Sequence, residues 1–284
     1  MRPSRPSHTA LRVAIRRAEH QVLDAPLVFP DPVSLRIIGP EAAAAIQPGV
    51  ISRTQRLSPS FRAYMAARSR FAEDQLTGAV ARGVRQYVIL GAGLDTFAYR
   101  NIHAAEGLRV FEADHPATQA WKRERLRAAG IEIPEEVTLV PADFEHRTLP
   151  ESLSATGFRF DRPAFFSWLG VVPYLTDPAF EQTMRFVASR PAASGIVLDY
   201  GVPRHVLNPV QQKAFDALAA RVEGAGEPFH LFFEPEELAD RLRALGFQRL
   251  EDLGREELNA RYFAGRSDGL RIRGNLARIV SAEV

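Results

Sequence analysis

The sequence predicts an α/β protein in which a mostly parallel, doubly wound sheet is covered by helices on both faces. The first observation behind this prediction is that short apolar segments alternate with helical segments of about 10 to 15 residues, a pattern typical of strands joined by helices. Strands are predicted at 86–91, 108–113, 137–142, 164–169 and 195–200. Helices are predicted at 116–129 and 177–189, with another directly after residue 93. The second observation is that Tyr87–Leu90 is continuously apolar, as a strand buried on both faces requires.

The segments on either side of this alternation complete the predicted fold. Nothing strand-like precedes Tyr87, and helices are predicted there at 10–23, 41–46 and 60–82. After the alternation we expect a helix at 235–245, a strand near 247–253 and a closing strand at about 270–281. The 284 residues are 46% hydrophobic and contain no low-complexity linker, so they can bury one large core. The sequence therefore predicts one domain, with a helical cap at 1–84 and a sheet core at 85–284.

The turn after the first predicted strand has the sequence Gly91-Ala-Gly93. Glycine has no Cβ, so it adopts backbone conformations that other residues avoid and lets a ligand approach the backbone closely. A glycine-rich turn between a buried strand and a helix is the nucleotide-binding turn of Rossmann-like sheets. We therefore predict that Gly91 and Gly93 contact a nucleotide-like cofactor.

Two acidic residues end the second predicted strand about twenty residues further on. They are Glu112 and Asp114. A Rossmann-like sheet places at this position the carboxylate that accepts hydrogen bonds from ribose hydroxyl groups. The pattern predicts an adenosine-containing cofactor with a free ribose, while one of the two acids can instead be structural.

The residues after Gly93 favour S-adenosylmethionine over a dinucleotide. Thr96 stands where a dinucleotide-binding turn would carry a third glycine, and Leu94 and Asp95 follow Gly93. An acid close to this helix start is a poor neighbour for a phosphate and a good one for a cation. We therefore include Asp95 among the predicted cofactor contacts.

Three segments of the sequence resemble one family. GAGLDTFAYR at 91–100, VFEADHPATQAWKRERL at 110–126 and LNARYFAGRSDGL at 258–270 are similar to the leucine carboxyl methyltransferase-like branch of the class I S-adenosylmethionine-dependent methyltransferases. That branch includes bacterial polyketide O-methyltransferases of the tetracenomycin type. The resemblance runs from about Thr9 to the C-terminus. It implies a seven-stranded sheet with one antiparallel strand near its end, and a helical cap that covers the cofactor.

The resemblance also assigns roles to individual residues. Asp114 becomes the first choice over Glu112 for the ribose. Asp143 and Phe144, which follow the third predicted strand, would bind the adenine ring, although Asp143 could equally cap the turn that follows it. Arg70 matches the arginine that binds the methionyl carboxylate, a role that suits the planar guanidinium fork.

One of these assignments has an open alternative, and one position departs from the family pattern. Arg70 could instead form an ordinary surface pair with Asp74, four residues further along the predicted helix. Leu169 stands where the carboxyl methyltransferases carry a glutamate near the cofactor, so the chain departs from the family there. This departure argues against a protein C-terminal carboxylate as the substrate.

The end of the fourth predicted strand supplies candidates for the methyl-transfer pocket. They are Ser167, Trp168 and Tyr174. The alternative is that all three belong to the core of a buried strand and the segment after it. No general base can be assigned from the sequence, and a carboxylate acceptor would need none because it is already ionised.

Composition excludes several other classes of function. The chain has no cysteine, which excludes disulfides and thiolate metal sites, and its seven histidines show no metal-ligand spacing. Its 36 basic and 34 acidic residues give a net charge of +2, without the clustered basic excess that a nucleic-acid-binding protein shows. No apolar run approaches the roughly 20 residues of a membrane span. We expect a cytoplasmic protein with a small-molecule partner.

The sequence thus predicts an S-adenosylmethionine-dependent methyltransferase that methylates an oxygen of a small molecule, a carboxylate or a hydroxyl group in a polyketide-like metabolite. Two alternatives stay open. One is a catalytically degenerate methyltransferase fold that serves as a binding protein, which the departure at Leu169 motivates. The other is a nicotinamide-dependent oxidoreductase, which Thr96 disfavours.

Overall fold

The computed structural model describes residues 8–50, 58–224 and 226–284. Within these ranges, four helices precede the first strand: α1 (His8–Leu23), α2 (Ser34–Ile37), α3 (Pro40–Ala45) and α4 (Pro59–Ala81). Proline at the first position starts both α3 and α4, where its missing N–H group is no loss. The predicted helical N-terminal region is therefore present, and α1 packs on α4.

Seven strands form one sheet in the order β3-β2-β1-β4-β5-β7-β6. They are β1 (Gln86–Leu90), β2 (Arg109–Asp114), β3 (Val137–Pro141), β4 (Phe165–Trp168), β5 (Gly195–Gly201), β6 (Arg249–Leu253) and β7 (Ala277–Glu283). The pairs among β1 to β5 are parallel, and β7 runs antiparallel to both β5 and β6. The predicted fold class is confirmed, including the reversed strand near the end of the chain.

Among the described residues, six α-helices follow β1. They are α5 (Pro116–Ala128), α6 (Leu149–Leu153), α7 (Asp177–Ala188), α8 (Pro209–Gly224), α9 (Pro235–Ala244) and α10 (Arg255–Tyr262). Side chains that alternate along β1 point to opposite faces of the sheet. Val88 and Leu90 join the core beneath α7 and α9, while Tyr87 and Ile89 join the core beneath α4. Both faces of β1 are buried, as its continuous apolar run predicts.

The prediction of a helix directly after residue 93 is wrong. The chain forms two short 3₁₀ turns there, Phe97–Tyr99 and Ala104–Glu106. Local side-chain hydrogen bonds compete with helix formation in this segment. Asp95 accepts a hydrogen bond from the Phe97 backbone N–H at 2.8 Å, and Asn101 accepts one from the His103 N–H at 3.0 Å.

Five other elements differ from the predictions. Helices α2, α6, α8 and α10 were not predicted, and the closing strand begins at Ala277 instead of about residue 270. The segment before Ala277 makes hydrogen bonds with side chains instead of a neighbouring strand. Asn259 bonds both backbone groups of Ile272, at 2.8 and 2.9 Å, and Ser60 accepts from the Arg273 N–H at 2.8 Å.

Candidate functional site

The glycine turn after β1 is confined on two sides. Gly91 and Gly93 have φ angles of 65° and 47°, in the left-handed region. A Cβ at Gly91 would lie 2.4 Å from Cγ2 of Val171, and one at Gly93 would lie 3.1 Å from Cβ of Ala10. The turn therefore lies between the loop after β4 and the first turn of α1, and glycine is required there for space as well as for conformation.

Asp114 lies beside this turn at the end of β2. Its carboxylate accepts hydrogen bonds from the backbone N–H groups of Gly93, at 2.5 Å, and His115, at 2.6 Å. Burial raises the pKa of Asp114, and these two hydrogen bonds oppose the rise. A carboxylate has about four lone-pair positions, so the two bonds leave capacity for ribose hydroxyl groups. The side chain is half-buried and reaches the strand end.

Glu112 has a different position, which corrects its inclusion among the cofactor contacts. Its side chain is buried, with 1% exposure, and both carboxylate oxygens have partners inside the protein. Lys122 Nζ lies 2.7 Å from one oxygen, and the Tyr99 hydroxyl donates to the other at 3.0 Å. Glu112 therefore holds α5 and the first 3₁₀ turn against β2. Asp114, which is less buried than Glu112, stays the predicted ribose ligand.

Asp95 also has protein partners, which corrects its predicted role as a neighbour of the sulfonium. Besides capping Phe97, its carboxylate pairs with the Arg17 guanidinium of α1 at 3.1 Å. Arg17 also donates to the Leu94 carbonyl. The acid after the glycine turn therefore binds the cap to the sheet.

Thr96 contributes to the same connection. Its hydroxyl donates to the buried carboxylate of Asp31 at 2.8 Å. Asp31 in turn faces the Arg17 guanidinium at 3.7 Å and the Arg100 guanidinium at 3.4 Å. The residue that replaces the third glycine of a dinucleotide turn therefore ties the loop to the segment after α1.

Arg70 does not lie with the strand-end residues, which corrects its assignment to the cofactor carboxylate. Its side chain is 46% exposed and pairs with Asp74 at 2.7 Å, the alternative that the sequence left open. Its second hydrogen bond, at 3.5 Å, goes to the Val28 carbonyl. Two residues apart on a helix means about 200° of rotation, so Arg70 and Arg68 point in nearly opposite directions.

Arg68 is the arginine of α4 that reaches the strand ends. Its guanidinium is buried and donates to the Asp199 carboxylate of β5 at 2.6 Å. The other Asp199 oxygen accepts from the Gly170 N–H in the loop after β4. A Cβ at Gly170, where φ is 72°, would lie 3.1 Å from Nη1 of Arg68. The Arg68 Nε has no hydrogen-bond partner within the described parts of the chain.

Asp143 and Phe144 follow β3, as predicted. Asp143 accepts from the Glu145 N–H at 3.2 Å and lies 3.1 Å from Nδ1 of His146, so it does cap the following turn. Its side chain is nevertheless 41% exposed, and the Phe144 ring packs on Trp168 at 5.9 Å between centroids. Their role in binding adenine stays a prediction.

The three pocket candidates lie in different environments in the structure. Ser167 is buried and its Oγ accepts from the Tyr87 hydroxyl at 2.8 Å, while Trp168 is fully buried and stacks on Phe180 at 5.9 Å. Both belong to the core, which corrects their assignment to the pocket. Tyr174 is half-buried at the mouth of the strand ends. Leu169, at the family's glutamate position, packs against the core beneath α4.

A groove of about 510 Å³ lies at the other end of the sheet. It is lined by Gln75, Arg243, Gln248, Arg249, Leu250, Glu251, Ser281 and Glu283. Glu283 pairs in register with Gly195, the first residue of β5. The groove is therefore remote from the carboxyl ends of the parallel strands, where ligands bind in sheets of this kind.

Two further findings apply to residues 8–50, 58–224 and 226–284. No helix in these ranges has the length and apolar composition that crossing a bilayer requires. Within the same ranges, no cluster of three or more His, Asp or Glu side chains is placed to hold a metal ion.

The residues at the strand ends fit S-adenosylmethionine. Gly91 and Gly93 form the predicted turn with positive φ, and Asp114, which bonds the Gly93 N–H, could accept hydrogen bonds from the ribose. Arg68 has a buried guanidinium whose Nε lacks a partner among the described residues and could bind the methionyl carboxylate. The sequence reasoning missed Arg68, although Arg68 shares a helix face with the apolar Tyr64 and Phe71.

Comparisons with known proteins identify the family to which the chain is similar. The leucine carboxyl methyltransferase family profile matches residues 10–188. A Bacillus subtilis protein, YktD, provisionally named as an S-adenosyl-L-methionine-dependent methyltransferase, is 31% identical over 291 residues, covering 95% of each chain. A Mycobacterium avium protein with the same kind of provisional name is 34% identical over 190 residues. That alignment covers 63% of this chain and 59% of the relative.

Solved structures extend the similarity in fold. A DUF574 family protein from Streptomyces avermitilis has a TM-score of 0.62 at 18% identity, covering 98% of this chain and 97% of the other. A protein from Thermobifida fusca, provisionally named as a methyltransferase, has a TM-score of 0.58 at 17% identity, covering 91% and 96%.

The predicted family is confirmed by the profile match and by the relative that aligns over nearly the whole chain. The names of the relatives agree with the predicted cofactor, S-adenosylmethionine. The chain therefore belongs to the leucine carboxyl methyltransferase family of S-adenosylmethionine-dependent methyltransferases.

Proposed function

We propose that this enzyme methylates an oxygen atom of a small molecule. The observation that carries the proposal is the cover over the strand ends. The first turn of α1 lies against Gly93, and the segment after α8 is bonded to the loop after β4. The N–H groups of His230 and Leu231 both donate to the Pro173 carbonyl, at 2.7 and 3.2 Å. An acceptor must fit beneath these segments, which favours a small molecule over a folded protein.

The protein's contribution to the reaction is alignment. S-Adenosylmethionine, when bound, supplies a methyl group on a sulfonium sulfur that leaves readily. Arg68 would hold its carboxylate and Asp114 its ribose, which fixes the two ends of the cofactor across the glycine turn. The cap and the segment after α8 exclude water and hold the acceptor. Fixing two reactants in this way removes the entropic cost of a bimolecular encounter.

Calorimetry and a labelled methyl donor test the proposal. We expect the protein to bind S-adenosylmethionine and S-adenosylhomocysteine and to bind NAD weakly or not at all. With a radiolabelled methyl donor, we expect transfer to hydroxyl or carboxyl compounds in a metabolite panel and none to amines or thiols. Binding of NAD without either sulfur compound would contradict the proposal and favour the oxidoreductase alternative. Cofactor binding without turnover across the panel would favour a binding protein.

A further inference from the structure

Three side chains from distant parts of the chain meet above the strand ends. Thr9 lies in the first turn of α1, Tyr174 in the loop after β4, and Glu227 just after α8. The Thr9 hydroxyl donates to the Glu227 carboxylate, and the Tyr174 hydroxyl lies close enough to the Thr9 side chain to interact with it. The two hydroxyl groups and the carboxylate can therefore form one continuous chain.

The chemistry of the three groups fixes the direction of this chain. An ionised carboxylate can only accept hydrogen bonds, so the single proton of the Thr9 hydroxyl points to Glu227. Thr9 Oγ1 can then only accept from Tyr174, which must donate its own proton. Burial raises the pKa of Tyr174 to about 12, so the phenol keeps that proton at neutral pH. The Tyr174 oxygen is left with lone pairs that can accept a proton from another hydroxyl group.

Tyr174 also lies within electrostatic range of the groups that fit the cofactor. Its hydroxyl interacts electrostatically with Arg68 and Asp199, the buried pair that joins the middle of α4 to β5. At the other end of the chain, Thr9 precedes Ala10, whose Cβ limits the space at Gly93. The hydroxyl chain therefore spans the region between the carboxylate end of the cofactor site and the glycine turn.

Aromatic rings line the side of the chain that faces the segment after α8. The Tyr174 ring lies 5.2 Å from the Phe229 ring, which lies 5.9 Å from Phe232 and 6.5 Å from Phe215. All four rings are partly buried, so each keeps some exposed surface. Aromatic rings attract other flat rings through offset or edge-to-face contacts. A planar aromatic acceptor would pack well against this surface.

We propose that Tyr174, Thr9 and Glu227 form a proton relay for a phenolic methyl acceptor. This inference rests on the proposed function and names the class of its acceptor. The acceptor hydroxyl gives its proton to Tyr174 Oη, Tyr174 passes its own proton to Thr9, and Thr9 passes its own to Glu227. The acceptor oxygen forms a bond to the methyl carbon as the carbon–sulfur bond breaks, and the sulfur keeps that electron pair. Glu227 holds the released proton until solvent takes it.

A relay of this kind separates hydroxyl acceptors from carboxylate acceptors. A carboxylic acid is already ionised at neutral pH and has no proton to give. A phenol has a pKa of about 10 and needs a base in the transition state. No histidine could be assigned as this base from the sequence. The relay would supply it.

Comparing the turnover of acceptors of different acidity tests the relay. We expect Glu227→Gln, Thr9→Val and Tyr174→Phe to lower the turnover of phenol on the order of 10²-fold, the usual contribution of a general base. The same variants should lower the turnover of 4-nitrophenol much less in mildly alkaline buffer, because that acceptor is already mostly ionised. Glu234→Gln, which alters an exposed carboxylate of the same segment paired with His205, is the matched control and should affect neither.

A spectroscopic measurement without cofactor tests the same point independently of activity. Nitrophenolate absorbs visible light and nitrophenol does not. The Glu227 carboxylate disfavours a second negative charge, so wild-type protein should hold more of the bound probe as the neutral phenol than Glu227→Gln does. Arg68 and Asp199 are unchanged in both proteins, so they cannot cause the difference. Thermal melting of each variant verifies that it is folded.

Different results contradict the relay and the proposed function. If wild-type protein binds neither S-adenosylmethionine nor S-adenosylhomocysteine, the proposed function is wrong. If it binds them and methylates only carboxylic acids, the relay is wrong and the proposed function stands. Equal losses for phenol and nitrophenol, no loss with phenol, or identical spectra of the bound probe in wild-type and Glu227→Gln protein would each overturn the relay.

Discussion

The helix that supports the cofactor half of the site and the helix that lies near the acceptor half are built differently. Helix α4 buries 13 of its 23 residues, including Arg68, against the sheet and α1. Helix α8 has 16 residues, and among those the structure describes only Val222 is buried. Burial of apolar surface is the main source of stability, so α4 is held far more firmly than α8.

The polar contacts of the two regions differ in the same way. The loop after the glycine turn is fastened to the cap by Arg17, Asp31 and Thr96, which are all buried. The segment around α8 relies on exposed pairs such as Arg204 with Asp216, whose side chains are 51% and 52% exposed. Exposed pairs add little stability because water screens them. The comparison indicates a preformed cofactor site beside an acceptor site that can adjust.

The largest expected effect comes from Arg68. Arg68→Met should leave Asp199 as an unpaired buried charge and lower the free energy of unfolding by about 3–5 kcal/mol. The matched change Arg70→Met removes an exposed pair and should cost less than about 0.5 kcal/mol. Urea unfolding of both variants measures the difference. Similar losses would mean that α4 does not hold the site through Arg68.

The same two variants test cofactor binding. Decarboxylated S-adenosylmethionine lacks the group that Arg68 would bind, so wild-type protein and Arg70→Met should both bind it weakly. Arg68→Met should discriminate much less between the two cofactor forms. If Arg68→Met keeps the full discrimination, another residue binds the carboxylate.

A smaller effect is expected at Gly91. An alanine there must adopt a left-handed φ of 65°, which costs about 1–2 kcal/mol, and its Cβ would overlap Val171, which adds about 1–3 kcal/mol. Gly107→Ala is the control, since its φ is 78° and no atom lies within 4 Å of the added Cβ. Thermal unfolding should therefore show a larger loss for Gly91→Ala. Adding Val171→Ala to Gly91→Ala should recover the part of the stability loss that the overlap causes. If the loss is unchanged, the overlap with Val171 is not its cause.

Asp114 should affect binding more than stability. Asp114→Ala removes charge-assisted hydrogen bonds to the ribose, worth about 1.5–3 kcal/mol, or about one to two decades in the dissociation constant of S-adenosylhomocysteine. Glu112→Gln should leave that constant unchanged because Glu112 is buried against Lys122. Calorimetry at a temperature where both variants are folded makes the comparison. Weaker binding by Glu112→Gln alone would reverse the assignment of the two acids.

Cofactor binding should also depend on pH through Asp114. The ionised carboxylate accepts hydrogen bonds from the ribose, and burial raises its pKa above the ordinary value of 3.8. Affinity should therefore be full above the raised pKa and fall as the pH drops through it, earlier than for an ordinary aspartate. Calorimetric titrations across the acid range, with circular dichroism to confirm folding, measure this fall. The Asp114→Asn variant should bind the cofactor weakly, and its affinity should not show this fall with pH.

The mildest expected effect is dynamic. Amide hydrogens of α8 should exchange with solvent faster than those of α4, with protection lower by on the order of tenfold or more, because α8 has few buried contacts to break. Hydrogen-exchange mass spectrometry of the free protein measures both helices in one experiment. Equal protection would show that α8 is as firmly held as α4 and would remove the contrast between the two halves.

Sequence patterns were sufficient where the backbone decides the structure. The apolar run of β1 and the turn at Gly91 and Gly93 were predictable because burial on both faces and a tight turn each restrict residue choice. Sequence patterns failed where the structure depends on which partner a side chain binds. Glu112 and Asp114 look alike in sequence, and only the folded chain shows that Lys122 pairs with Glu112.

Arg68 and Arg70 illustrate the same limit on one helix. Both are arginines in a predicted helix, and the motif resemblance could not separate positions two residues apart. The helical period does separate them, because Arg68 falls on the face of Tyr64 and Phe71 and is buried. Helix α8 went unpredicted because its buried face is a single residue, so no apolar stripe marks it.

The contact between Thr9 and Glu227 joins positions 218 residues apart in the chain. Contacts at such separation form late in folding, because the entropy of closing the loop between them must be overcome first. The bond can therefore form only once the sheet has brought these two distant segments together. Methyl transfer that depends on it would report complete folding, whereas a partly folded chain could bind cofactor without turnover.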